Sequence, residues 1–153
     1  MEKIEFRPIG VIHSPIRSKE DIPDKRGWSK EVEGYIELFP EYKEGLADLD
    51  GFSYIQVLWF FHRSGSYELK VVPKYDEVER GLFSTCSPGR PNGIGSTIMR
   101  LTAVEDNIIR IQGIDAFDGS PVLDIKPYIP QHQIKDEDVK IGWLTGKTDK
   151  NLF

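Results

Sequence analysis

Three stretches of this sequence carry side chains whose types suit the recognition of a small ligand with separate charged and planar parts. Residues 87–95 (SPGRPNGIG) offer a guanidinium at Arg90 and an amide at Asn92. Residues 118–121 (DGSP) offer Asp118, and residues 124–130 (DIKPYIP) offer Asp124, Lys126 and Tyr128. Acids, bases, an amide and an aromatic ring on Gly/Pro-rich backbone match a pocket with few, well-placed polar groups. Residues 85–95 (TCSPGRPNGIG) hold two prolines and three glycines. Proline fixes φ and removes a donor while glycine reaches positive φ without strain, so alternating them specifies one irregular path. Arg90 and Asn92 are expected to project from it. Each stretch also reads as an ordinary turn, with Asp118 a turn-former and Lys126 a solvated charge. Three together favour a site.

Other chemistry leaves no trace in the sequence. It contains no phosphate-binding GxxxxGK[ST] loop, no GxGxxG after a strand, no HExxH and no nucleophile elbow. His13, His62 and His132 stand far apart without metal-ligand spacing, so no metal is expected. Cys86 is the only cysteine, which excludes an internal disulfide. Before Ser87-Pro88 it could serve as a nucleophile, but a lone cysteine at a strand end is expected to be a small buried hydrophobe.

The elements that must position these loops are short strands. Residues 6–13 open the chain as a β-rich segment, and residues 17–28 form a charged loop broken by Pro23 and Gly27. Residues 31–39 alternate imperfectly, with Gly34 a candidate bulge, and residues 40–46 suggest a helical turn with proline at its first position. Residues 52–62 (FSYIQVLWFFH) give the strongest strand signal. Their apolar middle, residues 57–61, predicts burial on both faces, within a barrel wall or beneath a partner subunit. A further short strand covers residues 67–72, followed by a charged connection over residues 74–80. Residues 97–104 and 108–114 flank Glu105-Asp106-Asn107, a hairpin signature. A short strand over residues 122–125 follows, and residues 136–144 could hold a short helix. Many short strands with Gly/Pro/Asn/Asp turns, and no long amphipathic helix, predict a mostly β fold: a small barrel or sandwich with short helical turns and long functional loops.

With 153 residues the chain is expected to fold as one domain over residues 1–135, with residues 136–153 as a C-terminal extension packed on it. The N-terminus lacks the apolar core of a secretion signal and no apolar run is long enough to span a bilayer, so a cytoplasmic, membrane-free protein is expected. A net charge of −5 argues against indiscriminate polyanion binding while leaving room for a local basic patch facing one RNA.

In order along the chain, residues 9–15 (IGVIHSP), 34–38 (GYIEL), 44–53 (EGLADLDGFS), 60–62 (FFH), 90–95 (RPNGIG) and 118–128 (DGSPVLDIKPY) resemble the TsaA-like family. That family includes methyltransferases that use S-adenosylmethionine to methylate N6-threonylcarbamoyladenosine in the tRNA anticodon loop. The resemblance implies a small β-barrel acting as a homodimer, with the cofactor near the subunit interface and tRNA as partner. It nominates Pro23, His62, Arg63, Phe117, Asp118 and Gly119 for cofactor contact. The chain departs from the family at three places. A P-R-Q triplet becomes Pro23-Asp24-Lys25. An A-T-R-S run becomes Ser84-Thr85-Cys86-Ser87, replacing an arginine that Arg63 or Lys25 could substitute. RPNPIG becomes RPNGIG.

Methyl transfer from a sulfonium depends chiefly on positioning, and a urea-like acceptor nitrogen must shed a proton. Asp124 is the candidate base or orienting group, with capping of its own loop as the structural alternative. Tyr128 is expected to stack on a splayed base, and Arg90, Asn92 and Lys126 to meet the substrate. The alternatives are a non-catalytic barrel that binds a nucleoside or other small ligand, and a methyltransferase with a different acceptor.

Overall fold

The computed structural model describes residues 1–136 and 138–147. Runs of β-branched and aromatic residues form β1 (Gly10–His13), β2 (Glu33–Leu38), β3 (Tyr54–Phe60), β4 (Lys70–Val71), β5 (Arg80–Gly81), β6 (Ile94–Glu105), β7 (Ile108–Gln112) and β8 (Ser120–Pro127). Six of them close into an antiparallel barrel in the order β1-β2-β7-β6-β3-β8, and β4 and β5 form a separate two-stranded ribbon. Closure leaves the barrel no free sheet edge. The expected mostly β barrel is the fold observed.

Period-2 alternation sends Ile12, Ile36, Ile55, Val57, Trp59, Met99, Ile109, Ile111 and Val122 into one buried core. Each such aliphatic side chain contributes roughly 1.5–3 kcal/mol of transfer free energy. Two bulges keep the alternation aimed inward. One falls on β6 between Leu101 and Ala103, so that Leu101 and Val104 both pack against the core. The other offsets β8 against β3 between Leu58 and Trp59. The lower end of the barrel is plugged by the 3₁₀ turn Pro40–Leu46 and the turn after it, which bury Leu46 and Leu49.

Strand direction decides where the loops lie. Because neighbours are antiparallel all round the barrel, β1, β3 and β7 run one way and β2, β6 and β8 the other. The connections following β1, β3 and β7 (residues 14–32, 61–93 and 113–119) therefore all emerge at one mouth, here the upper one. The 39–53 connection, the Asp106-Asn107 hairpin turn and the end of β8 lie at the lower mouth.

Several expectations need correction. Gly34 is not a bulge: it pairs in register with Ile111, and its lack of a Cβ admits the His13 carbonyl, which a Cβ would meet at 2.2 Å. Within this chain β3 is buried on one face only, which leaves cover by a partner subunit as the surviving form of that expectation. Leu58 is half-buried and Phe60 is 41% exposed, because single-layer barrel walls cover only their inner side. The strand expected over residues 67–72 shrinks to Lys70–Val71. Over residues 136–144 the described residues hold a single 3₁₀ turn, Gly142–Leu144.

Gly95 shows how tightly neighbouring strands fit. It pairs with Trp59 across β6 and β3, and an added Cβ would lie 2.5 Å from the indole ring. Gly95→Ala should overpack this contact and lower the unfolding free energy by roughly 1–3 kcal/mol. The check is the urea midpoint; an unshifted midpoint would mean that the Trp59 ring yields freely.

Candidate functional site

The three upper loops enclose a cavity of about 770 Å³. β3 and its continuation supply Trp59, Phe61, His62 and Arg63, the connection after β7 supplies Asp115 and Phe117, and the start of β8 supplies Ser120. The loop after β1 adds Lys19, Ile22 and Trp28, and the segment around the β4–β5 ribbon adds Lys74, Cys86, Pro88 and Gly89. All three upper connections therefore contribute walls, and strand direction brings them to one mouth.

The aromatic floor is fixed by hydrogen bonds as well as packing. Trp59 meets Phe61 edge to face at 4.4 Å, and its indole N–H donates to Thr97 Oγ1 at 3.2 Å. The Thr97 hydroxyl in turn donates to Asp115 Oδ1 at 2.8 Å. Asp115 keeps solvent contact through the open cavity, but the surrounding protein strips solvation from its carboxyl. That desolvation raises its pKa above the ordinary 3.8, only partly offset by the Thr97 bond.

Arg63 is clamped. Its Nε–H donates to His62 Nε2 at 3.2 Å, its two terminal nitrogens donate to the carbonyls of Arg17 and Asp118, and its guanidinium lies 5.4 Å from the Phe117 ring centre. A His62 that accepts at Nε2 must carry its proton on Nδ1, which faces Ser120 Oγ at 3.3 Å; the Ser120 hydroxyl donates onward to the Phe117 carbonyl at 2.7 Å. Neutral imidazole is thus part of the clamp. Desolvation first and the Arg63 charge second hold His62 below its ordinary pKa of 6.5.

The residues nominated from the sequence separate into groups. His62, Arg63 and Phe117 border this cavity. Pro23 stands next to lining Ile22, and Asp118 and Gly119 lie between lining Phe117 and Ser120 without bordering the cavity themselves. Asp118 stitches loops together: its Oδ1 accepts the Ser14 N–H at 3.1 Å, and its own N–H donates to the Ile16 carbonyl at 2.7 Å. Gly119, at φ +82°, leaves room beneath His62.

Arg90 and Asn92 border a second cavity of about 870 Å³ that shares Phe61, Ser64 and Gly65 with the first. Arg90 does not project. Its guanidinium donates to the carbonyls of Thr85 at 2.9 Å and Ser87 at 3.2 Å, so it folds its own loop, while Asn92 is exposed.

Asp124, Lys126 and Tyr128 are not brought to the upper mouth, because β8 runs away from it. Asp124 pairs with Leu58 on the outer side of the barrel and borders a cavity of about 400 Å³ near the lower mouth. Its carboxylate accepts from the Ile125 N–H at 2.9 Å and from Lys126 Nζ, and Tyr128 meets Tyr54 edge-on at 6.4 Å. Cys86 is exposed at the rim rather than buried, because the loop carrying it lies outside the barrel core. Among the described residues no group of His, Cys, Asp and Glu gathers as a metal-ligand set, and no helix is long and apolar enough to cross a membrane.

Sequence reasoning passed over Asp115, Trp28, Trp59 and Ser120. Asp115 had one available signal, its place just before the Asp118-Gly119 turn at the end of a strand. Trp59 read only as a strand residue.

Fold and site together define a β-barrel protein that builds one aromatic-walled, nucleotide-sized cavity from the loops of a single mouth. The chain belongs to the family described as the tRNA-methyltransferase O N-terminal domain, whose model matches residues 11–134. A probable S-adenosyl-L-methionine-binding protein of Pyrococcus abyssi is 44% identical over 145 residues, covering 95% of this chain and 78% of the relative. The tRNA (adenine(37)-N6)-methyltransferase of Escherichia coli is 34% identical over 140 residues, covering 85% of this chain and 60% of the enzyme. A crystal structure of TrmO superposes with a TM-score of 0.75 at 36% identity, over 92% of this chain and 64% of that one. The chain thus spans less than two thirds of these last two proteins.

The depressed pKa of His62 has a readable consequence. Between its folded value and 6.5 the unfolded chain binds a proton that the folded chain refuses. The contribution of neutral His62 to stability is therefore full above pH 6.5 and is lost as pH falls through the lower folded value. An NMR titration should place the His62 midpoint below 6.5, and Arg63→Met should move it upward; an unmoved midpoint would remove the Arg63 charge from the account.

Proposed function

We propose that this chain binds S-adenosylmethionine in the upper cavity and transfers its methyl group to N6 of threonylcarbamoyladenosine in a tRNA anticodon loop. Beyond family membership, the observation that carries this reading is a clamped cation and a partly desolvated carboxyl facing one aromatic-walled cavity. Its volume of about 770 Å³ lies in the range of small-molecule and cofactor sites, roughly 300–1,000 Å³. The residues present fit the group: Trp28, Phe61 and Phe117 line the cavity where a planar base could pack, buried Trp59 supports Phe61 from beneath, and Arg63 supplies a fixed cation for a carboxylate. Where relatives of the resembled family carry an arginine this chain has Cys86, and Lys19, Lys74 and Arg63 supply positive charge around the same cavity.

S-adenosylmethionine supplies an electrophilic methyl group on a sulfonium. The chain's part is to orient, to exclude water and to accept a proton. His62 holds Arg63 by staying neutral, and the backbone around Asp118 and Gly119 fixes Phe117 and Ser120. Asp115 takes the role for which Asp124 was the sequence candidate. Its Oδ1 is occupied by Thr97, which leaves Oδ2 to take the acceptor's N6 proton, and its raised pKa brings it nearer the range useful for a general base. The acceptor reaches this carboxyl from the second cavity, past Asn92 and the shared Ser64-Gly65 edge, with the Arg90 loop as its outer wall. Lys126 and Tyr128 serve tRNA backbone or bases away from the reacting atoms.

A second reading, binding without turnover, is favoured by the Cys86 and Asp24-Lys25 departures. The deciding experiment incubates the protein with S-adenosylmethionine and tRNA and measures methylated nucleosides by mass spectrometry. Wild type should methylate the threonylcarbamoyladenosine, and Asp115→Asn should lose at least 10²-fold in turnover, the usual size of a general-base contribution, while calorimetric cofactor affinity is kept. Asp124→Asn should retain turnover. Micromolar binding without methylation selects the binding module, and methylation of another nucleoside selects a different acceptor.

The proposal extends to a cytoplasmic homodimer, with residues 1–135 as the barrel unit and residues 136–153 as its extension; residues 137 and 148–153 lie outside the described residues. Support for the dimer comes from the outer face of β3 and β6, where Phe60, Ile94 and Ile98 are 41%, 37% and 48% exposed on adjacent strands. Light scattering should give twice the chain mass, and Ile98→Asp should give monomers; a monomeric wild type at micromolar concentration would refute the dimer.

A further inference from the structure

The β4–β5 ribbon stands outside the barrel ladder, and a two-stranded ribbon alone has marginal stability. Yet its neighbourhood supplies Lys74, Cys86, Pro88 and Gly89 to the cavity. What fastens it is a residue in its own turn. The Asp76 side chain is only 4% exposed and accepts from Lys147 Nζ at 2.8 Å, Arg80 Nε at 3.1 Å and the Glu77 N–H at 2.9 Å. Lys147, then Arg80, hold this carboxyl below the ordinary carboxylate range.

The C-terminal segment carrying Lys147 makes a second attachment. The Trp143 indole N–H donates to the Ser84 carbonyl at 2.8 Å, and Arg80 and Lys147 lie 5.1 and 5.6 Å from its ring centre. A third attachment crosses to the loop after β1: Arg26 donates to the Lys147 carbonyl and lies 5.3 Å from the Tyr75 ring centre. Lys74 pairs with Asp24 at 3.6 Å across the same gap. Three pieces of chain that the barrel does not hold together, two of which wall the cavity, therefore meet around Asp76 and Trp143.

We propose that residues 141–147 are a brace that fixes the ribbon and the loop after β1 as the outer wall of the ligand cavity, with Asp76 and Trp143 as positioning residues. The segment lies beyond residues 11–134, the part matched by the family model. Its consequence for cofactor affinity rests on the reading of the cavity given above; the bracing itself does not.

The test compares full-length wild type with Trp143→Phe, which removes the indole donor and keeps a smaller aromatic ring, and with Trp143→Ala and Asp76→Asn. Hydrogen exchange without added ligand should quicken about fivefold or more in residues 67–90 and 19–31, the scale of one lost hydrogen bond, while β3 and β6 keep wild-type protection. Unchanged exchange in those two segments for Trp143→Ala overturns the brace, and so does equal loosening of the whole barrel. If Asp76→Asn fails to fold, the two Trp143 variants still decide. With S-adenosylmethionine as probe, the dissociation constant and the KM for the donor should rise about fivefold with kcat held at saturation. Quickened exchange with unchanged affinity overturns the coupling to the cavity. A wild type that binds no S-adenosylmethionine counts against the proposed function, and the exchange measurement still decides the brace.

Discussion

Everything at the working end of this molecule depends on the closure of six antiparallel strands into one ring. Closure satisfies every edge and forces neighbouring strands to alternate in direction. That alternation sends three connections, far apart in sequence, to a single mouth. The ladder brings the loops that carry Trp28, Arg63 and Asp115 to one mouth, and bonds between those loops then fix their places. The same constraint carries the DIKPY stretch away from that mouth, since β8 begins beside His62 and descends from there.

The cavity is then refined by interactions that cross strands. Gly95 admits the Trp59 ring, the indole N–H engages Thr97, and Thr97 engages Asp115. Two strands and one loop thus agree on the place of a single carboxyl. On the other side His62, held by Ser120, and two backbone carbonyls fix one guanidinium. Preorganisation of this kind means that little side-chain freedom remains to be lost when a ligand arrives. The outer wall differs. It is made of short pieces outside the main core, with Leu82 as its buried residue, and it is tied by charge and one indole.

Much of the fold was legible in the sequence because period-2 alternation is a local property. The strands of residues 31–39, 52–62 and 97–114 could be read from neighbouring residues, and the Asp106-Asn107 turn from its composition. The sequence could not say whether the barrel wall or a partner subunit covers the second face of β3, because apolar residues on the outer face of a strand carry no mark of what covers them. Arg90 was legible as a guanidinium on a constrained loop, but not as one turned inward on its own carbonyls. Asp115 escaped notice because its importance lies in Thr97 and Trp59, which are remote in sequence and adjacent only across the ladder.

The sequence by itself determined that the chain is a mostly β barrel of the TsaA-like kind, through strand periodicity and the RPNGIG and DGSPVLDIKPY blocks. It also identified His62, Arg63 and Phe117 as residues to watch. Only the tertiary structure decided which loops share a mouth, that Asp115 and not Asp124 faces the aromatic cavity, and that the C-terminal segment reaches Asp76 and Ser84. The reason is physical. Strand periodicity and turn chemistry act between neighbours in the chain, whereas strand order and direction are settled by closure of the whole ring.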